Sequence, residues 1–370
     1  MFSGNDKISI RQLQILLILT LFTSVSLILP RITTEYAKQN GWLLIIGAAV
    51  LTMLYSYFIT TLGKMFPDKT IVEYSQEIVT KPIGSLICWI LVIKLIIFLG
   101  LEIRIFGELV KQTLLSNTPI EFIMIIMLFT AVYLTRKGYE PRARIAELII
   151  FLGLIPIMLV LLFALQDIRL DRLAPFFTIK ASEFVAGSYF ISTAMVGIEF
   201  LYIAIPFLRT PQKVTKAVMQ TVIFVAILNL MINFITVGLF GPIKTAREIW
   251  PVMTIMQVIE LPGAFISRQD ALMMSFWILT TFGLINCYIF FISILTSRLI
   301  KSKEANWINL LVIPIVYVIA LVPNNVPHTF ETIKRLIQLY GIIFVLPVPI
   351  LLLGIAKIRK LGVKDDTKQN

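Results

Sequence analysis

Histidine occurs once in these 370 residues and cysteine twice, and charged residues make up only 15% of the chain. The sole histidine, His328, has no cysteine or carboxylate cluster around it, so neither a metal site nor histidine-dependent catalysis is expected. Cys88 and Cys287 both fall inside apolar stretches and carry no redox or metal-ligand signal. No glycine-rich loop is followed by Lys and Ser or Thr, which removes support for nucleotide-driven pumping. An arginine ladder of the voltage-sensor kind and a carbonyl-filter signature are also missing, which argues against a selective channel. No catalytic residue, cofactor or metal is therefore expected, and the chain does not read as an enzyme.

What is there in excess is apolar surface. Hydrophobic residues make up 58% of the chain and the mean hydropathy is +0.90, more than a water-soluble fold of this size can hide. Charge-free stretches recur at 39–63, 148–166, 217–243, 271–297, 305–330 and 336–356. Each is long enough for a helix to cross about 30 Å of hydrocarbon, which takes roughly 20 residues. Four further spans, 13–30, 83–110, 119–135 and 184–208, carry more polar residues. The runs are too long and too uniformly apolar for transmembrane strands.

The pattern predicts an all-alpha integral membrane protein with about ten transmembrane helices, at roughly 11–35, 41–63, 83–111, 119–136, 144–166, 184–208, 215–240, 270–298, 306–323 and 332–357. They form a single transmembrane domain with a polar tail at 358–370. Lys7 and Arg11 precede the first apolar run, but no small-residue cleavage site follows, so it reads as a span and not as a removable leader.

With the amino terminus in the cytoplasm, twenty Lys and Arg residues fall on the inner side and eleven on the outer, with Lys94 and Arg104 inside a span. The positive-inside rule then predicts that both termini are cytoplasmic. The net charge of +12 collects at the cytoplasmic helix ends, facing anionic membrane lipid, and no nucleic-acid partner is expected. Only 167–183 and 244–270 are outer connections of any length, and neither could form a core of its own, so function is expected within the membrane. The second, with Trp250, Pro251, Glu260, Leu261, Pro262, Gly263 and Arg268, reads as a short helix over the outer mouth of the bundle or as an interfacial helix anchored by Trp250.

Two spans carry an interruption. The first runs through Thr23, Ser24, Val25 and Ser26 toward Pro30, a polar patch whose hydroxyls compete for backbone carbonyls. The sixth passes Thr193 and Val196 and places Gly197 and Glu199 near mid-membrane. These are the opening helices of two halves, spans one to five and six to ten. Matched discontinuities of this kind point to a five-plus-five inverted repeat with discontinuous helices 1 and 6 around a central ligand site. Tight helix packing would account for Ser24, Ser26 and Gly197 as well. Glu199 is harder to read as packing, because a carboxylate at mid-depth costs roughly 2.5–3.5 kcal/mol on insertion scales and needs a partner, a proton or a cavity.

The third span holds Lys94, Glu102, Arg104 and Glu108, a candidate coupling or charge network. Arg104 and Glu108 share a helix face, while Glu102 points nearly the opposite way. Lys94 is a candidate to meet Glu199 or a ligand carboxylate. Pro156, Pro206, Pro314, Pro347 and Pro349 mark kinks or helix ends.

Leu29, Pro30 and Arg31 closing the first span, Gly41 and Trp42 after it, the stretch Gly197 to Phe200 running on to Pro206 and Phe207, and Trp250, Pro251, Pro262, Gly263, Phe265 and Arg268 occur here in a fairly specific order. In this the chain resembles the B subunit of the nutrient germinant receptors of endospore-forming bacteria, the spore germination permease family. That family belongs to the amino-acid, polyamine and organocation transporter superfamily. The resemblance implies an amino-acid-permease-like protein of the cell membrane and inner spore membrane that binds a small nutrient such as an amino acid. It also implies an A-type membrane subunit and a C-type lipoprotein as partners. Carried over, the ligand-binding positions are Ser24, Val25, Ser26, Thr193, Val196, Gly197 and Glu199. The chain departs from the superfamily pattern in having Thr23 and Ser24 where a glycine marks the first break, which leaves fewer free backbone N–H groups for a ligand carboxylate. A secondary transporter of amino acids or related solutes and a structural scaffold subunit are the other two readings.

Overall fold

The computed structural model describes residues 7–136, 138–259, 269–302 and 306–362. Its elements are helices: α1 (Ile10–Val25), α2 (Leu29–Ala37), α3 (Gly41–Met65), α4 (Ile71–Ile78), α5 (Lys81–Thr113), α6 (Ile120–Thr135), α7 (Tyr139–Ala164) and α8 (Ala181–Ala194). After a 3-10 segment at Val196–Phe200 come α9 (Leu201–Ala204), α10 (Val214–Arg247), α11 (Pro251–Val258), α12 (Gln269–Leu299), α13 (Asn306–Leu321), α14 (Val326–Tyr340) and α15 (Pro347–Ile358). Leu29–Met65, Lys81–Thr113, Glu140–Asp167, Pro211–Arg247 and Met274–Leu299 are each long and apolar enough to cross a bilayer. The short apolar helices α1, α6 and α15 and the bent pairs α8–α9 and α13–α14 occupy the remaining expected spans. Large hydrophobics such as Val50, Phe129, Leu148, Ile227 and Val318 remain exposed on the bundle surface, as a lipid-facing belt requires.

The chain is an all-alpha membrane protein of inverted-repeat type, and local chemistry explains its breaks. Pro30, at the start of α2, lacks the N–H that would bond the Ser26 carbonyl, and its ring clashes with that carbonyl, so the first span unwinds at 26–28. Helix six ends at Ala194 and continues after Met195 as the 3-10 segment, with the two parts bent by 43°. Both halves also insert a short helix between their second and third spans, α4 in the first and α11 in the second. Gly241 (φ 75°) with Pro242 kinks α10 just after the expected end of its span.

The expected helix at 332–357 is two helices. Residues 341–346 form turns between α14 and α15, because Pro347 and Pro349 have no N–H to give the carbonyls of Ile343 and Val345. His328 lies in the first turn of α14, where its N–H donates to Asn325 Oδ1 at 2.9 Å. The connection after α10 forms α11, with Trp250 Nε1 donating to Gln112 Oε1 at 3.0 Å. The remainder of that expectation, Glu260, Leu261, Pro262, Gly263 and Arg268, lies outside the described residues.

The amino-terminal segment ties the two broken spans together on one face. The Ile8 N–H donates to the Phe207 carbonyl at 2.8 Å and the Arg209 N–H to the Ile8 carbonyl at 3.1 Å. Ser9 then starts α1 with a capping box to Gln12.

Candidate ligand site

A cavity of about 290 Å³ opens where the breaks of helices 1 and 6 meet helix 3. A water needs only about 10–15 Å³ on this measure, so the cavity has room for a small molecule. Ser24, Val25 and Ile28 supply one wall, Phe98 and Glu102 of α5 a second, Phe190 and Ala194 of α8 a third, and Ile337 of α14 a fourth. The mouth carries paired charges, Arg31 with Glu35 at 2.9 Å and Glu331 with Arg335 at 2.6 Å. Arg31 also lies over the Phe330 ring and Lys334 over the Tyr36 ring.

The expected site residues fall into different surroundings. Ser24 is half-buried and donates to the Leu21 carbonyl at 3.2 Å, so its hydroxyl satisfies the loosened end of α1 while lining the cavity. Ser26 is turned the other way, donating to Asn229 Oδ1 of α10 at 2.6 Å. Four residues along α10, Asn233 Nδ2 donates to Thr33 Oγ1 at 2.6 Å, so one face of α10 grips both sides of the first break. Thr193 is buried and donates to the Tyr189 carbonyl at 2.9 Å. Gly197 packs on α1: a Cβ there would stand 2.6 Å from Thr20 Oγ1, so only glycine permits this approach. The Val196 side chain lies outside the described residues.

Glu199 faces Lys94. The Lys94 ammonium donates to Glu199 Oε1, and both side chains are buried, with 6% and 1% exposed. Lys94 Nζ also lies 3.5 Å from the Gly341 carbonyl at the break in span ten and over the rings of Phe98 and Phe344. Glu199 Oε2 has no hydrogen-bond partner among the described residues. A second tie to the same break comes from Tyr202, whose hydroxyl donates to the Phe344 carbonyl at 2.6 Å.

The four charges of span three do not form one network. Lys94 joins Glu199. Arg104 is paired with Glu108 through two hydrogen bonds of 2.8 and 3.0 Å, and this pair lines a separate polar pocket with Lys111, Gln112, Asn324 and Asn325. Glu102, on the other side of the helix, lines the main cavity. Tyr288 of α12 is fully buried, with its ring edge-on to Phe200 at 5.2 Å. The aromatic walls, the Ile337 contribution and the Tyr202 bond went unread in the sequence, because apolar residues in apolar spans carry no mark that separates cavity from core. No group of three His, Cys, Asp or Glu side chains is placed to hold a metal among the described residues.

The profile of a protein family described as "Spore germination protein" matches residues 7–329. Spore germination protein YndE of Bacillus subtilis (strain 168) is 26% identical over 369 residues, covering 98% of this chain and 100% of that protein. A Na+-coupled sialic acid symporter, solved in a substrate-bound outward-open state, superposes with a TM-score of 0.66 at 14% identity, over 93% of this chain and 78% of the symporter. MhsT, solved in complex with L-phenylalanine, superposes with a TM-score of 0.65 at 12% identity, over 92% of this chain and 88% of that one. These likenesses establish the fold: an amino-acid-permease-like inverted repeat.

Proposed function

The chain belongs to the spore germination protein family, and from that premise we propose that it is the B-type membrane subunit of a nutrient germinant receptor. It binds a small nutrient such as an amino acid in the cavity at the breaks of helices 1 and 6, and so helps to trigger germination. The observation that carries this reading is the cavity itself. It lies at the meeting point of the interrupted spans, where backbone and side-chain polar groups escape regular helix bonding. Ser24 and Val25 meet the ligand in the cavity wall. Thr193, Val196, Gly197 and Ser26 shape the breaks behind it, and Glu199 with Lys94 couples the filled site to the break in span ten. A ligand that fits one arrangement of the broken helices better than another shifts the balance between them, by as much as its difference in affinity.

In this reading the protein sits in the cell membrane and the inner spore membrane with both termini cytoplasmic. It acts with an A-type membrane subunit and a C-type lipoprotein. The fold shared with a Na+-coupled symporter supports one other reading, a secondary transporter of amino acids or related solutes.

The deciding experiment is nutrient-by-nutrient germination of spores lacking only this gene, complemented with the wild-type chain or with Ser24→Leu, alongside solute uptake by the purified chain in liposomes. Loss of response to one nutrient, restored by wild type but not by the leucine variant at equal abundance, with no uptake, is the expected result. Nutrient-dependent flux by the chain alone would favour the transporter. Intact responses with the leucine variant would leave only a scaffold role.

A further inference from the structure

We propose that Glu102 anchors a ligand ammonium group, so that the cavity takes compact molecules bearing a primary amine on an apolar body. This rests on the cavity being the ligand site. Every other described carboxylate around the cavity or beside it on span three already has a cation. Glu35 is paired with Arg31, Glu331 with Arg335, Glu108 with Arg104, and Glu199 with Lys94. Glu102 alone has no ion-pair or hydrogen-bond partner among the described residues, although it stands in the cavity wall.

Its surroundings are apolar. Phe98, Ile105, Phe190 and Ile337 line the same cavity, and a carboxylate in such a wall is retained at a cost unless something in the cavity answers it. A hard inorganic cation is a poor answer, because it requires several oxygen ligands and the other carboxylates of the cavity, Glu35 and Glu331, are already paired with arginines. An alkylammonium group fits better: it donates charge-assisted hydrogen bonds to one carboxylate and is attracted to the faces of aromatic rings such as Phe98 and Phe190. Lys334, at the mouth and over Tyr36, is placed to attract a ligand carboxylate. An aliphatic α-amino acid would then lie with its amine inward and its carboxylate toward the mouth.

The test uses the purified full-length chain in lipid nanodiscs and measures binding through thermal stabilisation. The probes are L-alanine, L-valine and L-leucine, isobutylamine (the amine without a carboxylate), isovalerate (the carboxylate without an amine), inosine and potassium chloride. At least one amino acid or amine should bind, and isovalerate, inosine and potassium should not. Glu102→Gln should weaken amine binding about tenfold or more, with Glu102→Asp in between and unliganded stability at least preserved. Should the glutamine variant fail to fold, the aspartate variant decides by the same criterion. An amino acid bound better than isobutylamine supports the two-ended pose, and equal binding reduces the proposal to the ammonium contact. Unchanged amine binding in Glu102→Gln, or no binding by any amine, overturns it. Binding of inosine that is lost in Ser24→Leu but kept in Glu102→Gln would retain the cavity as the ligand site and sink the ammonium anchor. Amine binding unaffected by Ser24→Leu would remove both.

Discussion

Lys94 and Glu199 form a buried ion pair between the third span and the unwound part of the sixth. The same ammonium reaches the Gly341 carbonyl at the break in the tenth span, so a single cation connects two interrupted helices. Taking both charges out of water is expensive, and their mutual attraction offsets the cost only while both are present.

Removing one partner is therefore more harmful than removing both. Glu199→Gln should leave Lys94 buried without a counter-charge and destabilise the chain by about 3–5 kcal/mol, seen as reduced membrane abundance. Combining it with Lys94→Met should restore abundance. The response to nutrient should stay low in the double variant, because Glu199 Oε2, which has no hydrogen-bond partner among the described residues, is lost as well. A double variant with normal response would assign Glu199 to structure alone.

Around the first break, Asn229 and Asn233 lie on one face of α10 and hold Ser26 and Thr33 on either side of it. A double-mutant cycle of Asn233→Ala with Thr33→Val should give a coupling of about 0.6 kcal/mol and at most about 1.7, the range for hydrogen bonds between membrane helices. Independent effects of the two substitutions on thermal unfolding would show that the contact does not hold the break.

Much of this architecture was legible because the membrane imposes a simple code. Uniformly apolar runs mark spans, and Pro30 after the Thr23–Ser26 patch marks a break. The Arg104 and Glu108 pairing follows from helix periodicity alone. Pairings between distant spans have no such local sign: Lys94 and Glu199 are separated by 105 positions. Hydropathy hides the tenth-span break, because 341–346 is wholly apolar apart from its glycine. Pro347 and Pro349 mark a kink or a helix end, and the sequence does not say which. Glu102 shares span three with Lys94, Arg104 and Glu108; helix periodicity turns it away from Arg104, but only the helix's orientation in the bundle shows that it faces the cavity.

The charge asymmetry makes an orientation prediction. Lys180 and Lys301 are both exposed, and Cys88 and Cys287 are buried, at 0% and 6% exposure, so a cysteine introduced at either lysine should be the reactive one. Lys180→Cys should label with an external, membrane-impermeant thiol reagent and Lys301→Cys should be protected. The reverse pattern would invert the topology.

The last prediction compares one substitution at two buried tyrosines. Tyr202 and Tyr288 are 1% and 0% exposed, and replacing either with Phe removes only a hydroxyl. The Tyr202 hydroxyl donates to the Phe344 carbonyl at 2.6 Å, in the segment where the amide of Val348 bonds Ile343 instead of Phe344. Losing it leaves a carbonyl without its donor at a depth where water is scarce, which costs about 1–3 kcal/mol. At Tyr288 the hydroxyl has no hydrogen-bond partner among the described residues, so its removal abolishes a desolvation penalty and breaks no bond. Tyr202→Phe should thus lower the thermal unfolding temperature of the purified chain, while Tyr288→Phe leaves it unchanged or raises it. Nutrient response should weaken with Tyr202→Phe as well, since the break in span ten loses one of its ties and is left with the Lys94 contact to Gly341. Equal effects of the two substitutions would mean that the Tyr202 bond does not hold the break in the membrane.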